Sequence, residues 1–262
     1  SRSIEETYQK KTPIEHILLR PDTYVGSIEQ ETATGTLSAQ LAQFKLEEVR
    51  YVPALYKIFD EVLVNAADNY QRDHRMDTLR VELNKKEGCI KVHNNGKGIP
   101  VVIHQEFKIY DPILSSDIAY WQQYNDNDKK IVGGRNGYGA KLANIFSNRF
   151  ILSCGDQANR KEFNMEWRDN MNTHSEPEIK SYSSKDYTSV TFYPDFKRFG
   201  MKHLEDDIYK VMEKRVYDIA GIFPSVNVIL NGKEIKLKSF KEYVGMYLWS
   251  GDQPKKARYS DL

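Results

Sequence analysis

Residues 53–72 read PALYKIFDEVLVNAADNYQR, and the rest of the chain is read outward from them. Leu55, Ile58, Phe59, Val62, Leu63 and Ala66 recur at i, i+3, i+4, i+7, i+8 and i+11, the spacing of one face of an α-helix. At ~100° per residue, Glu61, Asn65, Asp68 and Asn69 fall within an arc of about 100° that borders this apolar face. Polar side chains on the rim of a buried face cost free energy unless they are satisfied, so they should meet something polar there. A carboxylate and amides at i, i+4 and i+8 line up a proton acceptor with oxygen ligands, and hard cations such as Mg²⁺ take oxygen ligands. The alternative is an ordinary solvated helix flank.

Downstream, Leu79, Val81 and Leu83 alternate, Lys85-Lys86-Glu87-Gly88 forms a turn, and Ile90 and Val92 alternate again, which predicts a β-hairpin. Asn94-Asn95-Gly96-Lys97-Gly98-Ile99-Pro100 follows directly. Glycines at a strand end let a ligand approach the backbone, and an Asn amide offers the donor and acceptor that suit a purine edge. A plain surface turn is the competing reading. Further on, Gly133-Gly134-Arg135-Asn136-Gly137-Tyr138-Gly139-Ala140-Lys141 enters a predicted helix at Ala140–Phe146. Glycine-rich backbone ahead of a helix N-terminus exposes N–H donors at a positive dipole end, a phosphate cradle. It is not a Walker loop, because Ala140 and Lys141 stand where Lys and Ser/Thr are required, and Leu142 takes the place of the third Rossmann glycine. A ligand-free hinge is the other possibility.

The remaining elements complete an α+β pattern. Thr12-Pro13 opens a short helix that Pro21 closes. The polar stretch Glu29–Leu41 is expected as a loop or a short irregular strand pair, and Phe107–Lys130 as a mobile loop. Strands are expected at Phe150–Cys154, Glu162–Trp167 and Ser189–Tyr193, and an amphipathic helix at Leu204–Ile219. A second hairpin is expected over Val226–Leu230, Asn231-Gly232 and Ile235–Leu237, then a polar tail over Gly251–Leu262. Strands joined by hairpins, with helices set apart, indicate α+β rather than a doubly wound parallel sheet.

Composition narrows the function. Of 262 residues, 40% are hydrophobic and 29% charged, a folded, water-soluble balance. No run approaches the ~20 apolar residues of a membrane helix, and Ser1–Lys11 has no apolar core of a signal peptide. Cys89 and Cys154 stand alone, against a disulfide scaffold or structural zinc and in favour of a reducing compartment. The net charge of +1 speaks against strong nucleic-acid binding by this chain itself, so the run Lys255-Lys256-Ala257-Arg258 reads as a solvated tail.

The order of helix flank, strand and glycine turn, then glycine-rich helix start resembles the GHKL ATPase superfamily with its Bergerat fold. More narrowly it is similar to the N-terminal ATPase domain of eukaryotic type II DNA topoisomerases. The resemblance rests on HILLRPDTYVGS from His16, KIFDEVLVNAADN from Lys57, NNGKGIPV from Asn94, GGRNGYGAKL from Gly133, RFGM from Arg198 and VYDIAG from Val216. Residues 29–50, 105–128 and 155–184 match poorly.

The resemblance implies a two-layer sandwich, a mixed and mostly antiparallel sheet covered on one face by helices. It implies an N-terminal strap and first helix over 1–28, the ATPase domain over 29–250, and a tail over 251–262 toward a transducer domain. Its cofactors are ATP and Mg²⁺. Glu61 becomes the general base that orients water toward the γ-phosphate. Asn65 becomes the metal ligand, with Asn69 beside it on the nucleotide flank. Asn94 meets the adenine edge with Ile99 packed near the base, and Thr188, in YTSVTFYPD, supports that contact through water. Gly134, Arg135, Asn136, Gly137, Tyr138, Gly139 and Ala140 wrap the phosphates, and Lys141 adds a point charge. The resemblance also implies a homodimer through the N-terminal segment that holds Tyr8, contact with DNA mainly through domains outside this chain, no membrane, and a nuclear location.

Two departures stand out. Tyr120-Trp121-Gln122-Gln123-Tyr124-Asn125 occupies the lid position of a Ser-Ser-Asn triplet and is one residue shorter. The transducer lysine that reaches the γ-phosphate lies outside the chain, so slow hydrolysis is expected. An ATP-binding switch with little hydrolysis is therefore the main alternative. A chaperone or mismatch-repair ATPase is another, against which RFGM and VYDIAG count.

Overall fold

Thr12 Oγ1 accepts from the Glu15 N–H at 3.2 Å while Glu15 Oε2 accepts from the Thr12 N–H at 2.7 Å. This reciprocal cap starts helix α1 (Pro13–Leu19), and Pro21 opens a one-turn helix α2 (Pro21–Tyr24). These elements belong to a computed structural model that describes residues 12–40, 43–105, 108–116 and 139–248.

The stretch expected to be a loop or a short irregular pair is instead a ten-residue strand, β1 (Glu31–Gln40). It pairs antiparallel with the nine-residue β2 (Gln43–Tyr51). Its order comes from pairing and from the buried Phe44 and Val49 on its partner, not from apolar alternation of its own. Helix α3 (Pro53–Arg72) matches the predicted bounds, with Pro53 at the first helical position. Its buried set includes every apolar residue named from the spacing, together with Ala54, Ala67 and Asn69.

The main sheet comprises β3 (Thr78–Asn84), β4 (Cys89–Asn95), β5 (Ser147–Asp156), β6 (Lys161–Arg168), β7 (Thr173–His174), β8 (Glu178–Ser181), β9 (Tyr187–Pro194), β10 (Asn227–Leu230) and β11 (Lys233–Glu234). Their order is β11-β10-β3-β4-β9-β5-β6-β7, with β8 also beside β6. Among the described pairings only β10 with β3 is parallel. The helices α4 (Asp111–Ser116), α5 (Gly139–Ile145), α6 (Asp206–Ile222) and α7 (Phe240–Leu248) complete the order, with a 3₁₀ turn at Phe196–Phe199. Short β7 and β8, the 3₁₀ turn and α7 were not expected. Helix α4 lies within a stretch expected as a mobile loop, whose residues 117–130 fall outside the described residues.

Register gives the sheet two unlike faces. Val81, Val92, Val190, Leu152 and Met165 form one cross-strand row, and Leu83, Ile90, Phe192, Phe150 and Trp167 form the next; all ten are buried. These rows form one core with α3, α5 and α6. The opposite face carries Arg80, His93, Ser189, Ser153 and Asn164 in a polar row. The molecule is thus an α+β two-layer sandwich, as expected. No helix among the described residues is long and apolar enough to cross a membrane.

Candidate active site

A third row on the helix-facing side breaks the apolar pattern. It runs Leu79, Asn94, Thr188, Cys154 and Phe163. Asn94 is buried and its Nδ2 donates to the Asn95 carbonyl at 3.0 Å. Thr188 pairs directly with both Asn94 and Cys154. Burial raises the Cys154 thiol well above its ordinary range, which the Thr188 hydroxyl opposes only in part. The strand expected from Ser189 in fact begins at Tyr187, which brings Thr188 into this row.

The turn after β4 closes over the row. A Cβ on Gly98 would lie 2.8 Å from Thr188 Oγ1 and 3.0 Å from the Tyr187 carbonyl, so only glycine lets the chain lie against β9 here. Gly96 has φ +85°, and a Cβ there would meet Met76 Cβ at 2.8 Å and Asn69 Nδ2 at 3.2 Å. Asn69, buried on the flank of α3, donates to the Asn95 carbonyl at 3.3 Å. Ile99 packs half-buried against the core.

Two carboxylates that the sequence did not single out, Asp73 and Asp156, hold this turn, and Asn95 anchors β3 beside it. Asp73 Oδ2 accepts from the Lys97 N–H at 2.7 Å, and its Oδ1 pairs with Arg75 Nε at 2.9 Å. The Arg75 side chain first, then the Lys97 N–H, keep the Asp73 carboxyl far below the usual carboxylate range. Asn95 Oδ1 accepts from the N–H groups of Asp77 and Thr78 at 3.0 and 2.9 Å. Asp156 Oδ2 accepts from the Val101 N–H at 2.8 Å. Burial pushes the Asp156 carboxyl up, but hydrogen bonds led by those from Asn159 outweigh it, and the net direction is down. The adjacent Asn94 and Asn95 thus differ: the first lies in the sheet row, the second holds the start of β3. Strand alternation carries the signal, since Asn94 continues the inward positions Ile90 and Val92 while Asn95 does not.

On the other border of the site, α5 begins directly against the flank of α3. A Cβ on Gly139 would lie 2.6 Å from Glu61 Oε2 and 3.1 Å from Asn65 Nδ2. Glu61 is partly shielded and pairs with Lys57 Nζ at 2.5 Å, one turn earlier; Asn65 is exposed. Burial raises the Asp68 carboxyl, with Arg72 opposing. Ala140 is half-buried, and Lys141 is 1% exposed. The structure therefore gathers Glu61, Asn65 and Asn69 between Gly139 on one side and the turn over Asn94, Ile99 and Thr188 on the other. Gly134, Arg135, Asn136, Gly137 and Tyr138 lie outside the described residues, as do Tyr8 and the lid stretch from Tyr120 to Asn125.

A separate cleft of about 620 Å³ opens by the edge strands around Arg149, Glu166, Arg168 and His174. Glu166 already pairs with both arginines, and the cleft shares no residue with the helix flank or the glycine turn.

This assembly of a carboxylate and amides on a helix, a glycine turn across a strand end and a helix entering at a glycine is that of an ATPase class. Residues 51–198 match the histidine kinase-, DNA gyrase B- and HSP90-like ATPase family, and the chain belongs to that family. Within it, the chain is similar to eukaryotic DNA topoisomerase 2. It is 49% identical to DNA topoisomerase 2 of Plasmodium falciparum over 255 residues, 95% of this chain and 18% of that protein. It is 51% identical to DNA topoisomerase 2 of Arabidopsis thaliana (94% of this chain, 17% of that protein) and 48% identical to DNA topoisomerase 2-alpha of Homo sapiens (94% and 16%). The chain thus spans less than a fifth of the curated relatives it matches. The ATPase region of Saccharomyces cerevisiae topoisomerase II superposes with a TM-score of 0.86 at 45% identity, over 94% of this chain and 66% of that one. The 43K ATPase domain of Thermus thermophilus gyrase B superposes at 0.59 and 18% identity, over 85% of this chain and 50% of that one, a likeness of fold alone.

Proposed function

We propose that this chain is the ATP-binding and ATP-hydrolysing domain of a type II DNA topoisomerase, in which ATP-driven dimerisation closes a gate for DNA strand passage. The observation that carries the reading is the approach of Gly139 to Glu61 and Asn65, a cradle that a single Cβ would fill. Only glycine lets the start of α5 lie directly against the polar flank of α3, which supports reading the two as one wall of a phosphate site.

The residues fit ATP with Mg²⁺. Asn65 supplies a hard oxygen donor one turn from Glu61, and Mg²⁺ takes a few such ligands alongside water and phosphate. The cation neutralises charge on the phosphates when bound. Asn65 would hold it, since its side-chain amide carries an oxygen donor. Glu61 accepts a hydrogen bond from water and aims it at the γ-phosphate; phosphoryl transfer depends on such positioning more than on covalent help. Asn94 offers its amide to the adenine edge, with Ile99 against the base and Thr188 behind it. Asn69 braces the glycine turn. The phosphate-binding role given to Gly134 through Ala140 comes from the resemblance, with Lys141 adding charge at the start of α5.

The same reading gives the domain limits as 1–28 for a strap and first helix, 29–250 for the ATPase domain and 251–262 for a tail. The partner is a second copy met through the N-terminal segment around Tyr8, DNA is met mainly through other domains, and the protein works in the nucleus. Substituting Glu61→Gln abolishes phosphate release and leaves affinity for an ATP analogue within a few-fold. Equal loss of both rejects the role given to Glu61.

A further inference from the structure

The border of α3 away from the nucleotide carries an ion pair that this chemistry does not use. Asp60 directly precedes Glu61, and at ~100° per residue the two carboxylates flank the apolar face of α3 on opposite sides. Asp60 Oδ1 accepts from Arg215 Nε of α6 at 2.6 Å, and the two side chains are only 20% and 24% exposed. Arg215 in turn lies 3.9 Å from Asp218 Oδ2, which accepts from Lys214 Nζ at 2.9 Å. The other Asp218 oxygen accepts from the Tyr243 hydroxyl of α7 at 2.6 Å, and the Tyr243 and Tyr247 hydroxyls are 2.7 Å apart. The Tyr243 ring leaves no room for a side chain at Gly221, so α7 lies hard against α6. Two cations and two anions balance in this shielded cluster. Burial first, then Asp60, push the phenol of Tyr56 up to about 12, a second sign of how dry this border is.

We propose that Arg215 is a positioning residue for ATP hydrolysis, fixing the rotation of α3 about its axis and hence the place of the Glu61 carboxylate. The inference rests on the reading of Glu61 as general base. Gly139 bounds the movement of α3 on the nucleotide side, and the Asp60–Arg215 pair holds it on the other. Turning the helix by ~10° carries a carboxylate ~6 Å from its axis through ~1 Å, and an offset of that size costs on the order of 10²-fold in rate when it misplaces a reacting group. The residues read as meeting the base, Asn94, Ile99 and Thr188, lie off α3 and stay in place, so affinity changes less than rate although Asn65 and Asn69 turn with Glu61.

The test uses Arg215→Met, Arg215→Lys, Asp60→Asn and the double variant Asp60→Asn/Arg215→Met in the whole chain. Phosphate release, affinity for a non-hydrolysable ATP analogue with Mg²⁺, and Tm are measured on each. The expected result is a fall in kcat of ~10–100-fold for Arg215→Met and for Asp60→Asn, with analogue affinity within ~3-fold. The double variant is no worse than either single one, and Arg215→Lys recovers part of the rate. Unchanged kcat per folded molecule, additive losses in the double variant, or kcat and affinity falling together with Tm overturns the inference. Amide exchange over 57–66 gives the same decision without turnover. Faster exchange confined to that segment in Arg215→Met supports the inference, and unchanged or uniformly faster exchange overturns it. Absence of turnover in the unsubstituted chain counts against the proposed function instead, and the exchange result still stands.

Discussion

Gly139 meets the Glu61 carboxylate so closely that a Cβ at 139 would stand 2.6 Å from Oε2. Two segments 78 positions apart in the chain therefore share one wall of the site. Gly139 is the first residue of α5, so this contact also fixes where that helix points its N-terminus.

Gly139→Ala puts a methyl group into that contact. Alanine favours a helix over glycine by ~1 kcal/mol, so stability holds or changes little, while the carboxylate is displaced. The expected outcome is a fall in phosphate release of ~10–100-fold with Tm within a few degrees. Unaltered turnover argues against Glu61 acting on water at this wall.

Thr188→Val keeps the shape of the side chain and removes the hydroxyl that faces Gly98. KM for ATP should rise about tenfold, as for one lost hydrogen bond of ~1.4 kcal/mol, with kcat nearly unchanged. Gly98→Ala should weaken binding as well, because its Cβ meets the same oxygen at 2.8 Å. Steady-state kinetics against ATP concentration checks both.

Asn65→Ala removes the oxygen ligand proposed for Mg²⁺. The cation concentration for half-maximal turnover should rise by at least ~10-fold, in line with the loss of one ligand contact worth ~1.4 kcal/mol. A magnesium titration at saturating ATP reads it, and an unshifted midpoint removes Asn65 from the metal.

Asp73 links pH to the glycine turn. Its folded-state carboxyl is depressed, so its contribution to stability is fully present above the unfolded value near ~4 and is lost as pH falls toward the folded value. Asp73→Asn should lower Tm by ~2–4 °C at pH 7, corresponding to ~1 kcal/mol in a domain of this size. The difference from the unsubstituted chain should shrink steadily below about pH 4. A gap that stays constant down to pH 2 contradicts the assignment.

Helix α3 was legible because its apolar residues from Leu55 to Ala66 keep a 3.6-residue period through about three turns, and the polar arc on its border follows from the same arithmetic. The hairpin β3–β4 was legible from alternation. Strand β1 was not, because its Thr and Ala residues gain strand character only by pairing with β2 and packing near α6. Helix α7 escaped notice because Phe240 and Tyr247 remain exposed and its fit depends on Tyr243 reaching Asp218, 25 residues away. In the site, Asn94 and the glycine turn could be found locally. Asp73 and Asp156 could not, since they act on backbone N–H groups 24 and 55 residues away. Thr188 carried no pattern of its own and entered through the resemblance; its place beside Asn94 in the helix-facing row emerges only when β4 and β9 pair.

The most direct measurement is a structure of the chain with a non-hydrolysable ATP analogue and Mg²⁺. The account predicts the metal at Asn65, the γ-phosphate near Glu61 and the Gly139 backbone, and adenine against Asn94 and Thr188. Nucleotide seated elsewhere, in the cleft beside Arg149 and Arg168 for instance, with the 61–69 border of α3 facing open water, would contradict it.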